Sequence, residues 1–172
     1  MEREEILIVE SFLKLLRNEP FDRITPRAVT DRAGLPPSRF AYRFHDMYAL
    51  VDELLEEESN TVKNSAIDPS GGGEAFLLSA SFLLRERGAV RNLCISSASG
   101  IYKKHVYQLA SHYFTKVLTA RGDVNGEDAE HAIRFLCEAA VGLASRELVN
   151  SEDPAEDARI YSELFDKAIG SL

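Results

Sequence analysis

The chain has little of what anchors a secreted or membrane-bound protein. Its two cysteines, Cys94 and Cys137, stand 43 positions apart with no neighbour at metal-ligand spacing. That excludes a disulfide framework and a zinc site, and leaves two packed thiols. The longest apolar stretches, such as residues 75–84, stop near ten residues, well short of the roughly 20 a spanning helix needs. The start, Met1-Glu2-Arg3-Glu4-Glu5, is acidic where a secretory signal is basic and then apolar, so the expectation is a cytoplasmic protein, nucleoid-associated if it binds DNA. Period-two alternation is missing too, which removes β-structure from the expected fold.

Positive charge is also scarce, with 20 basic against 28 acidic residues and a net charge of −8 over 172 residues. Such a chain is no nonspecific coater of polyanions, and any nucleic-acid contact has to come from a local cluster. The charge is uneven: residues 1–50 carry 8 of each sign, 51–74 carry 1 basic and 7 acidic, 75–122 carry 7 and 1, and 123–172 carry 4 and 12.

What is present is helix after helix, punctuated by glycine and proline. Ile6, Val9, Phe12, Leu13 and Leu16 recur at helical steps over residues 2–17. Thr25-Pro26 opens a short helix over 26–33, which Gly34 stops. Pro36-Pro37 start another that ends by His45, and Asp46 caps a longer one that ends before Asp68. Residues 68–73, Asp-Pro-Ser-Gly-Gly-Gly, read as a loop. Five more helices are expected, over about 74–86, 90–97, 100–120, 126–149 and 154–169. The expected fold is all-α, with about nine helices.

Two short helices joined by a tight glycine turn follow the plan of a helix-turn-helix. The second one would present Ser38, Arg39, Tyr42 and Arg43 to the major groove while Phe40 and Phe44 pack inward.

Here the resemblance becomes specific. Ile24-Thr25-x-Arg27-x-Val29-x-x-x-Ala33-Gly34-Leu35 and Phe40-x-x-x-Phe44-x-Asp46-x-x-x-Leu50 resemble, without gaps, the DNA-binding domain of the TetR family of transcriptional regulators. The resemblance implies a three-helix DNA-binding domain over 1–46 and a helical ligand-binding and dimerisation domain over 47–172. It implies a homodimer on a pseudo-palindromic double-stranded DNA operator, with Thr25, Arg27, Ser38, Arg39, Tyr42, Arg43 and His45 as DNA contacts. Two positions depart from the family pattern: Ala41 stands where tyrosine is usual, and Met47 where lysine is. Both usual residues touch phosphate, so backbone affinity should be weaker and less salt-dependent.

The regulatory half has no diagnostic motif. Its mixture of aromatics and polar groups suits a pocket for a small-molecule effector, with Phe82, Cys94, Ser97, Tyr102, His105 and Tyr113 as candidates. Ile133, Leu136, Ala140, Leu143, Ala144, Ile160, Leu164 and Phe165 look like a dimer interface, and the resemblance implies a four-helix bundle built from the last two helices of each subunit. Effector binding is expected to tilt the 46–66 helix and so change the spacing of the recognition helices.

No catalytic, metal or cofactor site is expected. His105 and His112 stand seven apart with no acid between them, and the serines at 96, 97 and 99 lack a nucleophile elbow. The competing reading is an interaction protein that keeps the helix-turn-helix scaffold but binds a protein partner, supported by Ala41, Met47 and the neutral N-terminal region.

Overall fold

The computed structural model describes residues 3–64, 68–122 and 127–171. The end of the expected 46–66 helix and the expected start at Gly126 lie outside the described residues. Among those described, the chain forms ten α-helices and no strand.

Helix α1 (Arg3–Leu16) buries Ile8, Val9, Phe12 and Leu16. A 3₁₀ turn (Phe21–Arg23), absent from the sequence reading, sets Phe21 edge-on to Phe12 at 6.4 Å and against Tyr48 at 5.1 Å. Thr25 caps α2 (Pro26–Ala33), its Oγ1 accepting from the Ala28 N–H at 3.2 Å. At the far end Gly34 takes φ 69°, and the Leu35 N–H reaches the Thr30 carbonyl at 3.0 Å. A side chain at Gly34 would be strained by that left-handed backbone, which turns the chain sharply into α3 (Pro37–Arg43). Phe40 and Phe44 both point into the core, 5.5 Å apart. Asp46 then caps α4 (Met47–Asn64) through the Ala49 N–H at 2.8 Å.

The expected 68–73 loop is corrected at its end, because α5 (Gly72–Ser79) begins inside the glycine run. Its first turn lies directly on the last helix, α10 (Pro154–Gly170). A Cβ at Gly72 would fall 2.6 Å from the Phe165 carbonyl oxygen, and one at Gly73 2.5 Å from that of Ser162. These glycines are contact surface, with Asp166 Oδ1 accepting the Gly73 N–H at 2.9 Å.

The single helix expected over 74–86 is two, α5 and α6 (Ser81–Arg85), broken at Ala80. Ser79 Oγ bonds back to the Phe76 carbonyl at 2.7 Å, a local competitor for helical pairing. Next come α7 (Arg87–Cys94) and the long α8 (Ser99–Arg121), ended by Gly122 at φ 71°. Helix α9 (Glu127–Gly142) runs on through a π-helical segment (Leu143–Glu147) and a last α turn (Leu148–Asn150). Arg87 donates to the Val149 and Ser151 carbonyls there, satisfying acceptors a helix end leaves open.

Helix α8 is the axis of the second half, packing on α4, α5 and α9. Phe165 from α10 stacks between Phe76 (4.7 Å) and Phe114 (5.3 Å). Polar ties fasten the N-terminal helices to this body. Arg17 pairs with Glu86 through two bonds of 2.7 and 2.6 Å, Asn92 donates to the Leu16 carbonyl at 2.8 Å, and Ser97 Oγ bonds both Tyr48 and Asp22.

Candidate nucleic-acid interface and effector cavity

The turn at Gly34 leaves one side of α3 bare. Tyr42 is 85% exposed, and Ser38 and His45, four and three residues to either side, are exposed as well. Thr25 and Arg27, also exposed, flank this surface at the start of α2, with Arg27 near Asp31 at 3.6 Å.

The two arginines of α3 are engaged elsewhere. Arg43 Nε donates to Glu5 Oε1 at 2.6 Å, and Arg39 Nε lies 3.4 Å from Glu4 Oε2, so both guanidinium groups lean toward α1. Glu5 is only 2% exposed. Burial and the neighbouring Glu5 raise the pKa of Glu53 on α4, while Arg43 opposes that shift. Sequence spacing placed Arg39, Tyr42 and Arg43 on one reading face; the structure presents Tyr42 freely and Arg39 and Arg43 through ion pairs.

The candidate effector residues do not all meet. Tyr102 and His105 lie stacked, 6.4 Å between ring centroids, with Phe82 edge-on to His105 at 6.5 Å. Cys94 is near Tyr102 and contributes, after burial, to raising the tyrosine's pKa; burial also pushes the Cys94 thiol up to about 11. Ser97 belongs to the surface tie with Asp22 and Tyr48, and Tyr113 lies farther along α8, beside His112.

The main cavity, about 600 Å³, opens between α4 and α8. Asp52, Leu55, Glu56, Ser59, Asn60 and Lys63 form one wall; Ile101, Lys104, His105 and Gln108 form the other. Of the expected pocket residues only His105 lines it. The α4 wall, from Asp52 to Lys63, held none of the candidates, because the two walls meet only where α4 crosses α8. His105 is 5% exposed, its Nδ1 is 2.9 Å from Ser59 Oγ, and its Nε2 has no partner. Burial first, then Lys63, lowers its pKa to about 4, so the ring is neutral at pH 7. Ser59 is thus the serine that engages His105, while Ser97 bonds to Asp22.

A second, apolar groove of about 310 Å³ lies between α9 and α10, lined by Phe135, Leu136, Ala139, Leu143, Tyr161, Leu164, Phe165 and Ala168. Phe135 is 69% and Leu164 52% exposed, with Ile160 also exposed beside them. Ile133 and Leu143 are half-buried. Leu136, Ala140, Ala144 and Phe165, expected at an interface, are buried in the subunit's own core. Phe135 and Tyr161 were not anticipated.

No helix among the described residues is long and apolar enough to cross a membrane.

No family model and no curated protein matches the chain. Solved structures do. The dihydroxyacetone kinase operon activator DhaS superposes with TM-score 0.76 at 13% identity, covering 98% of this chain and 96% of that one. The TetR family repressor AlkX from Dietzia sp. strain DQ12-45-1b gives 0.58 at 14%, covering 98% and 96%. A TetR transcriptional regulator from Rhodococcus sp. RHA1 gives 0.62 at 14%, covering 98% and 94%. The chain therefore has the fold of TetR-family regulators along nearly its whole length.

Proposed function

We propose that the chain is a homodimeric, sequence-specific DNA-binding transcriptional regulator, not an enzyme, whose operator affinity is set by a small-molecule effector. The observation that carries this reading is the bare side of α3, with Tyr42, Ser38 and His45 beyond a left-handed Gly34 turn, on a fold shared with a TetR family repressor and a TetR transcriptional regulator. Residues 1–46 are the DNA-reading unit and 47–172 the regulatory one. The similar structures include the activator DhaS and the repressor AlkX; of the two roles, repression is the one we propose here.

Two-fold symmetry would set a pair of α3 helices toward successive major grooves of a near-palindromic operator. The exposed apolar surface of α9 and α10 is the proposed dimer seam. Helix α4 joins the two halves, reaching Asp46 at one end and the 600 Å³ cavity along its length. An effector there that prefers one α4 tilt, when DNA prefers another, needs a coupling of only about 1–3 kcal/mol to change affinity 5- to 150-fold.

Operator selection tests the reading. Purified protein is mixed with sheared DNA from its own source at low salt, and bound fragments are sequenced, in parallel with Tyr42→Ala. Enrichment of a near-palindrome by the wild type, lost in the variant, is the expected result.

One observation favours a second reading. Both α3 arginines are tied to carboxylates, and Ala41 and Met47 stand where the family has phosphate contacts. A scaffold that binds a protein partner predicts a folded dimer that enriches no DNA at any salt.

A further inference from the structure

The cavity between α4 and α8, about 600 Å³, holds both signs of charge. Asp52 and Glu56 on one wall, Lys63 at its far end and Lys104 opposite belong to no ion pair within 4 Å among the described residues, although many of this chain's surface charges do pair. Along α4, Glu56 and Lys63 are seven residues apart, about 10 Å at the α-helical rise. Between them Ser59 holds His105 by Nδ1, and the buried Nε2 of that ring has no partner. A buried polar nitrogen left open costs free energy unless something satisfies it.

These features select among ligand classes. A simple anion would suit the lysines but meet Asp52 and Glu56, and a simple cation would meet Lys63 and Lys104, each like-charge contact being a penalty that discriminates. An apolar effector would leave the buried His105 Nε2 without a partner. A small zwitterion conflicts with none of them.

We infer that this cavity binds a free amino acid or dipeptide, its ammonium group toward Asp52 and Glu56 and its carboxylate toward Lys63, with His105 Nε2 bonded to a polar group between. The inference rests on the effector reading above and gives it a ligand class. A cavity of about 600 Å³ is within the usual range for small-molecule sites and takes a dipeptide with some water.

The test is equilibrium dialysis of the full chain against a pool of the twenty amino acids and a mixed dipeptide set, read by mass spectrometry. Matched pools are N-acetylated, C-amidated, or made of dicarboxylates, sugar phosphates and fatty acids. The expected result is retention of one or a few zwitterions, weakened at least 10-fold by blocking either end. Glu56→Gln should then bind the zwitterion at least 10-fold more weakly, and Lys63→Gln should no longer distinguish the acid from the amide. Circular dichroism establishes that both variants are folded. Retention from another pool instead, indifference to end-blocking, no retention at all, or retention unchanged in both folded variants overturns the inference. Operator selection is scored separately. Enriched DNA without zwitterion retention removes this ligand class and leaves the regulator reading standing, whereas zwitterion retention without enriched DNA does the reverse.

Discussion

Arg43 of α3 donates to Glu5 of α1 at 2.6 Å, joining a half-exposed cation to a carboxylate almost wholly withdrawn from water. A side chain that spacing alone assigns to DNA thus also supports the three-helix unit. Removing Arg43 leaves Glu5 buried without that partner. Because half of the Arg43 side chain is already in water, the expected cost lies below the full penalty for a broken buried pair, at about 1–3 kcal/mol. Urea unfolding of Arg43→Ala, Glu5→Gln and the double variant checks this. The double variant should be less destabilised than the sum of the singles, because neutralising Glu5 removes the buried charge that Arg43 faces. Additive effects, or an Arg43→Ala change under about 0.5 kcal/mol, would show that the pair holds nothing. The same reasoning makes Tyr42→Ala the cleaner probe of DNA contact.

The glycine run before α5 yields a packing prediction. Gly73→Ala would drive a Cβ to 2.5 Å from the Ser162 carbonyl oxygen, a backbone atom of α10. Over-packing at such a crossing costs about 2 kcal/mol, which for a chain of this length lowers Tm by about 4–8 °C. Gly100→Ala is the control. Its Cβ would meet nothing within 4 Å in the first turn of α8, so Tm should hold or rise slightly. Equal melting of the two variants would refute close α5–α10 packing.

His105 gives a pH prediction with a definite sign. Its pKa falls from 6.5 to about 4 on folding, mainly through burial. Between those values the unfolded chain binds the proton and the folded one does not, so stability falls as pH is lowered from about 6.5 toward 4. The loss attributable to this ring between pH 7 and 5 is about 2 kcal/mol. Urea unfolding at the two pH values should show a slope that His105→Gln reduces by that amount. An unchanged slope in a folded variant would mean that the ring takes up its proton as readily in the native state as in the unfolded chain.

These cases show where sequence was informative. The helix-turn-helix was legible because its determinants are local: Thr25 as cap, Pro26 at the first helical position, Gly34 at positive φ, and Phe40 and Phe44 one turn apart. The all-α class followed from periodicity in the same way. The pocket was not legible, because it lies where α4 crosses α8, and Asp52, Glu56 and Lys63 become a wall only once Lys104 and His105 stand opposite. Nor does local pattern separate glycines that form a loop from Gly72 and Gly73, seated against the α10 backbone.

Helix α9 posed the same problem and leads to the last prediction. It carries two apolar stripes side by side, one through Leu136, Ala140 and Ala144, the other through Phe135, Ala139 and Leu143. Periodicity cannot say which faces inward. The structure buries the first and leaves the second open next to Ile160 and Leu164. A patch of this kind on a stable chain needs a cover, and a second copy offers the same apolar surface by symmetry. Leu164→Glu introduces a charge there without touching the core, and two-fold symmetry places it in the seam twice. Light scattering after gel filtration should give twice the 19.2 kDa chain mass for the wild type and once for Leu164→Glu and Phe135→Glu, with helical circular dichroism retained. A wild-type monomer at micromolar concentration, or a variant dimer of unchanged affinity, would place the seam elsewhere and with it the spacing of the two α3 helices.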